Sequence, residues 1–156
     1  MRKRIINQRT DKIVPPASRK WLDLENLAQV DITSEDPAHP VESALVHGTG
    51  WRAAQPGEQT ISLLFDEPQR LTHIHLQFDE DRHERTQEFV LRCSVDGGRS
   101  YQELVRQQYT FSPSGSTREV EDYTVDLRGV TIFELWILPD IRGGSALASL
   151  AKLQLA

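Results

Sequence analysis

The sequence predicts an all-β chain built from two packed antiparallel sheets, with little helix. Three observations carry that prediction. Apolar residues alternate with polar ones at period two in run after run, as a strand with one buried face requires. The 9 glycines and 8 prolines sit mostly between those runs, so the chain reads as many short elements rather than a few long ones. No segment keeps an apolar stripe at helical spacing for three turns.

Taken in order, residues 21–24 and 30–32 read as short strands, residues 25–29 as one helical turn, and residues 33–40 as a loop. In residues 59–65, Ile61, Leu63 and Phe65 alternate with Thr60, Ser62 and Leu64. Asp66-Glu67-Pro68-Gln69 then reads as a turn, and residues 72–78 resume the period with Ile74, Leu76 and Phe78 on one face and His73, His75 and Gln77 on the other. The two runs are expected to pair as a hairpin. Phe89, Leu91, Cys93 and Val95 continue the period up to Asp96-Gly97-Gly98, where glycine accepts the positive φ of a tight hairpin, and residues 101–111 form the returning strand. Residues 123–127 and 130–138 read as two more strands joined by Arg128-Gly129, and residues 148–155 close the chain.

A chain of 156 residues buries one core without staples. Lys+Arg of 18 against Asp+Glu of 23 leaves a net charge of -5, which argues against broad, charge-driven binding to nucleic acid or anionic lipid. The one cysteine, Cys93, excludes an internal disulfide and a zinc site built on cysteine pairs. No apolar run reaches transmembrane length, and the basic start Met1-Arg2-Lys3-Arg4 is followed by only Ile5 and Ile6 before polar residues resume, which is not the pattern of a signal peptide. The cytoplasm is the expected compartment.

Chemistry-bearing patterns are few. His73 and His75 share a strand face and, with Glu80, match the spacing of a jelly-roll metal site, but Glu67 and Gln87 stand where that motif has glycine and no histidine follows His83. They are expected to be exposed polar residues on a half-buried strand. Cys93 shares its face with Phe89 and Leu91 and reads as a small buried hydrophobe. The acidic runs Asp79-Glu80-Asp81 and Glu119-Val120-Glu121-Asp122 read as solvated, and neither a nucleophile elbow nor a glycine-rich phosphate loop is present. Ser94-Val95-Asp96-Gly97-Gly98-Arg99-Ser100-Tyr101 satisfies the Asp-box pattern S-x-D-x-G-x-S-aromatic, read here as a hairpin turn without catalytic duty. Trp136 faces the same way as Ile132 and Leu138, which predicts packing rather than ligand contact.

Five pieces occur in a recognisable order between about residues 41 and 156: Gly50-Trp51-Arg52-Ala53; residues 59–65 with the turn after them; Phe89-Val90-Leu91-Arg92-Cys93-Ser94-Val95-Asp96-Gly97-Gly98-Arg99-Ser100-Tyr101; residues 130–140; and residues 148–155. Together they resemble the discoidin (coagulation factor V/VIII type C) domain of the galactose-binding-like superfamily. The resemblance implies an antiparallel β-sandwich of jelly-roll type over residues 41–156, with residues 1–40 as an extension whose short strands pack on the sandwich. Family members often hold a structural calcium. Here His47-Gly48 stands in place of the family's Asp-Gly, and Lys152 in place of its closing glutamate, so no calcium of that type is expected.

In the resembling family, loops at one end of the sandwich hold ligands, often with an arginine just before the strand that leads into the Asp-Gly turn. That implies a site in the loop 79–87, with Arg82, His83, Glu84 and Arg85 as hydrogen-bonding residues and Arg85 as a direct contact whose removal leaves the fold intact. Trp51, Tyr109 and Phe111 are the candidate platforms for a sugar ring, and the Trp51–Arg52 segment is the next place for the site. The expected function is a non-catalytic binding module for carbohydrate, without cofactor or metal and without nucleic-acid or membrane partners. A protein-interaction domain within a larger assembly is the second reading, and a metal-dependent jelly-roll enzyme using His73 and His75 the third.

Overall fold

Two strands of 21 residues run through the molecule, and their pairing organises everything else. The computed structural model describes residues 20–46 and 48–156. The elements are α1 (Leu24–Leu27), β1 (Ala28–Ile32), α2 (Glu42–Leu45), β2 (Trp51–Pro56), β3 (Gln59–Asp79), β4 (Arg85–Ser94), β5 (Gln102–Phe111), β6 (Arg118–Leu138), β7 (Leu147–Leu150) and β8 (Lys152–Leu155). β3 and β6 pair antiparallel from Gln59 opposite Ile137 to Asp79 opposite Arg118. The first half of β3 also pairs with β1, and its second half with β8. The second half of β6 pairs with β4, which forms a hairpin with β5. β2 and β7 form a separate two-stranded ribbon.

Residues 59–65 and 72–78 are therefore one strand and not the two arms of a hairpin, and the same correction applies to 123–127 and 130–138. Asp66-Glu67-Pro68-Gln69 and Arg128-Gly129 lie within the long strands, where the β3–β6 register shifts at Leu64/Gln69, Gln69/Leu71 and Leu71/His73. Bulges bend a paired ribbon without ending it. Gly129 takes a φ of 70°, open to glycine at no steric cost. The bend also moves the inward positions of β3 from the odd residues Ile61, Leu63 and Phe65 to the even residues Ile74, Leu76 and Phe78, all buried. The second half of β3 then faces β4 across the core, with the Phe78 and Phe89 rings 5.3 Å apart.

The core between the layers is aliphatic and aromatic: Leu63, Leu76, Phe78, Phe89, Phe133 and Leu135 are fully buried. Each stabilises the fold by about 1.5–3 kcal/mol through lost apolar exposure. Cys93 joins this core, and burial pushes its thiol above the usual range. The antiparallel sandwich and low helix content follow the sequence expectation, with differences in detail. Residues 21–24 are not a strand, since α1 starts at Leu24, and the closing run divides into β7 and β8, which pair with different partners. The break brings Leu150 against Gly50, where a β-carbon would stand 2.8 Å from the Leu150 carbonyl oxygen, so only glycine fits that approach. β1 is an integral edge of the main sheet, while residues 1–19 of the expected extension lie outside the described residues, as does His47 of the calcium comparison.

Candidate functional site

The short loop between β3 and β4 is organised by one carboxylate. Glu80 Oε2 accepts from the backbone N–H groups of Arg82, at 3.0 Å, and His83, at 3.2 Å, while Oε1 accepts from Arg85 Nε at 2.8 Å. Burial alone would raise the Glu80 pKa, but the Arg85 and amide hydrogen bonds outweigh it and hold the carboxyl below its usual range. The loop is anchored at its base by Glu80 N–H to the Thr117 carbonyl, 2.9 Å, and at its exit by Arg142 Nη2 to the Glu84 carbonyl, 3.2 Å. These ties turn Arg82 and His83 outward.

A second segment arrives through β2. Arg52 N–H donates to the His39 carbonyl at 3.2 Å and the Arg52 carbonyl accepts from Asp36 N–H at 2.8 Å, which docks the 33–40 loop beside Arg52. Asp36 accepts from Ala38 N–H at 3.0 Å and lies 3.3 Å from His39 Nδ1. The Ala38 amide, ahead of the His39 and Arg52 charges, holds the Asp36 carboxyl below its usual range. The 33–40, 80–84 and 140–147 segments thus surround Arg52. Between them lie a cavity of about 300 Å³ lined by Arg52, His83, Glu84, Asp140 and Ser145, and a shallower depression of about 740 Å³ that shares Arg52 and His83 and adds Asp36, His39 and Arg82. Among the described residues, the Arg52 and Arg82 guanidiniums and the His83 ring have no hydrogen bond or ion pair to other side chains. Such a cleft offers donors from Arg52, Arg82 and His83 and acceptors from Glu84 and Asp36, the mixture that a polyhydroxylated ligand uses.

Arg52 and His83 line both the cavity and the depression, Glu84 the first and Arg82 the second, so the two places named from the sequence lie side by side. The aromatic platforms need correction. Trp51 is 1% exposed with its indole N–H on the Ser34 carbonyl at 3.1 Å, so it packs the core at the start of β2. Phe111 is fully buried beneath the Arg85 guanidinium, 4.9 Å away, and half-buried Tyr109 donates to the Arg118 carbonyl. Among the described residues no tryptophan, tyrosine or phenylalanine lines either cavity. Arg85 itself is 2% exposed and bound to Glu80 and, through Nη1, to the Pro139 carbonyl at 2.9 Å, so it braces the loop from beneath while also lining the 300 Å³ cavity. β4 starts at Arg85, which shortens the expected loop to 80–84. Asp36 and His39 also line the depression, and the Asp-Pro-Ala-His turn is their only local signal in the sequence.

His73 and His75 are not the exposed pair expected. The ring of Trp21 covers both, at 5.7 and 6.2 Å, and both imidazoles turn to one oxygen, Asp122 Oδ1, at 3.0 and 2.8 Å. Among the described residues no group of three or more His, Cys, Asp or Glu side chains is arranged to hold a metal ion. Asp96-Gly97-Gly98 forms the expected turn: Asp96 accepts from Ser94 Oγ and Ser100 Oγ, both at 2.7 Å, and from Ser100 N–H at 3.0 Å.

No family model and no curated protein matches the chain. Solved structures do. The CBM32 module of AlyQ in complex with 4,5-unsaturated mannuronic acid superposes with a TM-score of 0.61 at 15% identity, over 84% of this chain and 95% of that one. The family 32 module of Clostridium perfringens NanJ in complex with galactose gives 0.59 at 16%, over 82% and 92%. CBM32-3 from a family 31 glycoside hydrolase of the same organism gives 0.61 at 18%, over 86% and 93%. These likenesses establish the fold as the galactose-binding-like, discoidin-like β-sandwich.

Proposed function

We propose that this chain is a non-catalytic carbohydrate-binding module that takes its sugar in the cleft around Arg52. The observation that carries the reading is the convergence of Arg52, Arg82, His83 and Glu84 on one cleft without partners that would use up their hydrogen-bonding capacity. Structures of the same fold, crystallised with galactose and with an unsaturated uronic acid, support it. Arg52 and Arg82 donate to ring hydroxyls, Glu84 accepts, and His83 adds a donor or acceptor according to its tautomer. The test is a glycan array followed by calorimetry on each hit with Arg52→Ala and His83→Ala. Binding that weakens about tenfold or more in the Arg52 variant, the scale of a lost hydrogen bond to a charged group, is expected. An array without hits, or hits indifferent to both substitutions, overturns the reading.

A partner protein is the second reading, and a separate observation favours it. An apolar groove of about 390 Å³ lies between α1, β1 and α2, floored by Leu24, Val30 and Val41 and edged by Glu25 and Glu42. Stoichiometric capture of a protein, blocked by Val30→Lys in that floor, together with an empty array would favour it.

A further inference from the structure

We propose that a buried column of side chains, Glu119–Gln87–Arg85–Glu80, positions the cleft loop and transmits to it the protonation state of the Glu119–Glu121 carboxyl pair. The proposal rests on the reading of the cleft as the ligand site, and it assigns regulation to that site. The inner three members of the column are solvent-excluded, and Glu80 at its outer end is half-buried. Arg85 is 2% exposed, Gln87 fully buried and Glu119 1% exposed, three polar side chains in a row where the inner faces of β4 and β6 meet. Gln87 Nε2 donates to Glu119 Oε1 at 3.1 Å, and Gln87 Oε1 accepts from Arg85 Nη1 at 3.4 Å. Arg85 Nε then holds Glu80, and Glu80 holds the Arg82 and His83 amides. The amide of Gln87 can point only one way: guanidinium donates and never accepts, so Oε1 faces Arg85 and the NH₂ faces Glu119.

The far end of the column carries one carboxyl too many for a dry site. Glu121 lies beside Glu119 and accepts from Gln107 Nε2, whose own Oε1 accepts from the Tyr123 hydroxyl at 2.9 Å. Phe78, opposite Glu119 on β3, adds no charge; Tyr109 on β5 is bound to the Arg118 carbonyl, and Arg85 reaches Glu119 only through Gln87. Two carboxyls without a cation between them are satisfied by one shared proton, Glu119 O–H donating to Glu121. Burial first, then Glu121, push the Glu119 carboxyl up to about 8.

Two orphan atoms define the alternative arrangement. Arg85 Nη2 and Glu119 Oε2 are both solvent-excluded, the first without an acceptor and the second without a donor when Glu119 is ionised. Loss of the proton leaves a buried anion at one end of Gln87 and a guanidinium with a spare N–H at the other. The guanidinium is drawn toward Glu119 and away from Glu80, which loosens the carboxylate that pins Arg82 and His83. Gln87 and Glu119, which line neither cavity, are thus positioning residues that act on the loop through Arg85.

The test needs no sugar. Carbonyl-detected ¹³C–¹⁵N spectra of the full chain, recorded from pH 5.5 to 9.5, follow the Arg82 and His83 backbone nitrogens without relying on exchangeable protons. Wild type is expected to show a step with midpoint near 8 at both nitrogens. Glu119→Gln is expected to abolish the step; Glu121→Gln, which removes the like charge, is expected to move it down by about one pH unit or more. Absence of a step above pH 7 in wild type overturns the proposal, as does its persistence in Glu119→Gln or an unmoved midpoint in Glu121→Gln. An empty glycan array with the step present would retire the sugar reading and leave the column standing.

Discussion

Two polar loops of this protein look alike in sequence and behave as opposites in the fold. The turn Ser94–Tyr101 and the loop 80–84 each gather charged and hydroxyl or imidazole side chains at the end of a strand. In the first, polar atoms spend their capacity on one another: Ser94 Oγ serves Asp96 and the Asp96 and Gly98 amides, and Asp96 serves Ser100 twice. In the second, Glu80 is used up on two amides and Arg85, and Arg82, His83 and their neighbour Arg52 are left facing a common depression. A closed set of hydrogen bonds is a structural device. An open set converging from several segments is what a ligand requires.

The sharpest way to break this contrast is Arg85→Ala. Removing one partner of a buried ion pair leaves Glu80 with an uncompensated charge, and the variant should lose about 3–5 kcal/mol of stability by urea denaturation. Arg85→Lys should recover only part of that, since a lysine cannot serve Glu80 and the Pro139 carbonyl together. A loss under about 1 kcal/mol would show that the loop stands without its post.

Next in size is a pH effect from the column beneath the loop. The Glu119 carboxyl is raised to about 8, so its contribution to stability is complete below the ordinary value of 4.5 and is lost as pH rises through 8. Urea midpoints at pH 5, 7 and 9 should fall in wild type and fall less in Glu119→Gln. Parallel curves would mean that the pair carries no proton.

How far the sequence reveals these features depends on where the deciding partner lies. The β4–β5 hairpin was legible because Asp96-Gly97-Gly98 and both alternating runs are local, and so was the inward face of β4. The long strands were not. Asp66-Glu67-Pro68-Gln69 carries turn chemistry, but the bend it makes stays paired, since β6 supplies a matching bulge more than fifty residues away. The place of the cleft was legible in Arg82, His83, Glu84 and Arg52, whereas the burial of Arg85 was hidden because Phe111 on β5 and Pro139 just after β6, which enclose it, are distant in the chain. Glu119 misled in the same way: an acidic run reads as solvated until β4 sets Gln87 against it.

A smaller effect is expected at the closed turn. Asp96→Ala removes three hydrogen bonds within an exposed loop and should lower the thermal midpoint while leaving ligand binding in the cleft untouched. The Ser100 and Ser94 hydroxyls and the Ser100 amide hold the Asp96 carboxyl down to about 2. Its stabilising contribution is therefore present above about pH 4 and lost as pH falls toward 2, so the gap between variant and wild type should close in acid. A gap that stays constant down to pH 2 would mean that the carboxylate charge is not what the turn uses.

The smallest expected change in stability, and the most informative about function, is at Arg52. Its guanidinium has no hydrogen-bonded partner among the described residues and lies on the exposed side of β2, so Arg52→Ala should alter stability by no more than about 0.5 kcal/mol. Thermal melting and calorimetric titration on the same samples separate the two roles that an arginine can have here. If the side chain were structural, the variant would melt earlier and bind a glycan hit with unchanged affinity once folded. If Arg52 is the shared wall of the cavity and the depression, melting is unchanged and affinity drops about tenfold, because a donor facing the sugar has been removed without disturbing Asp36 or His39, which are tied to Arg52 through its backbone. Arg52→Lys should then restore part of the affinity: the charge returns, but the planar fork that can reach two hydroxyls at once does not.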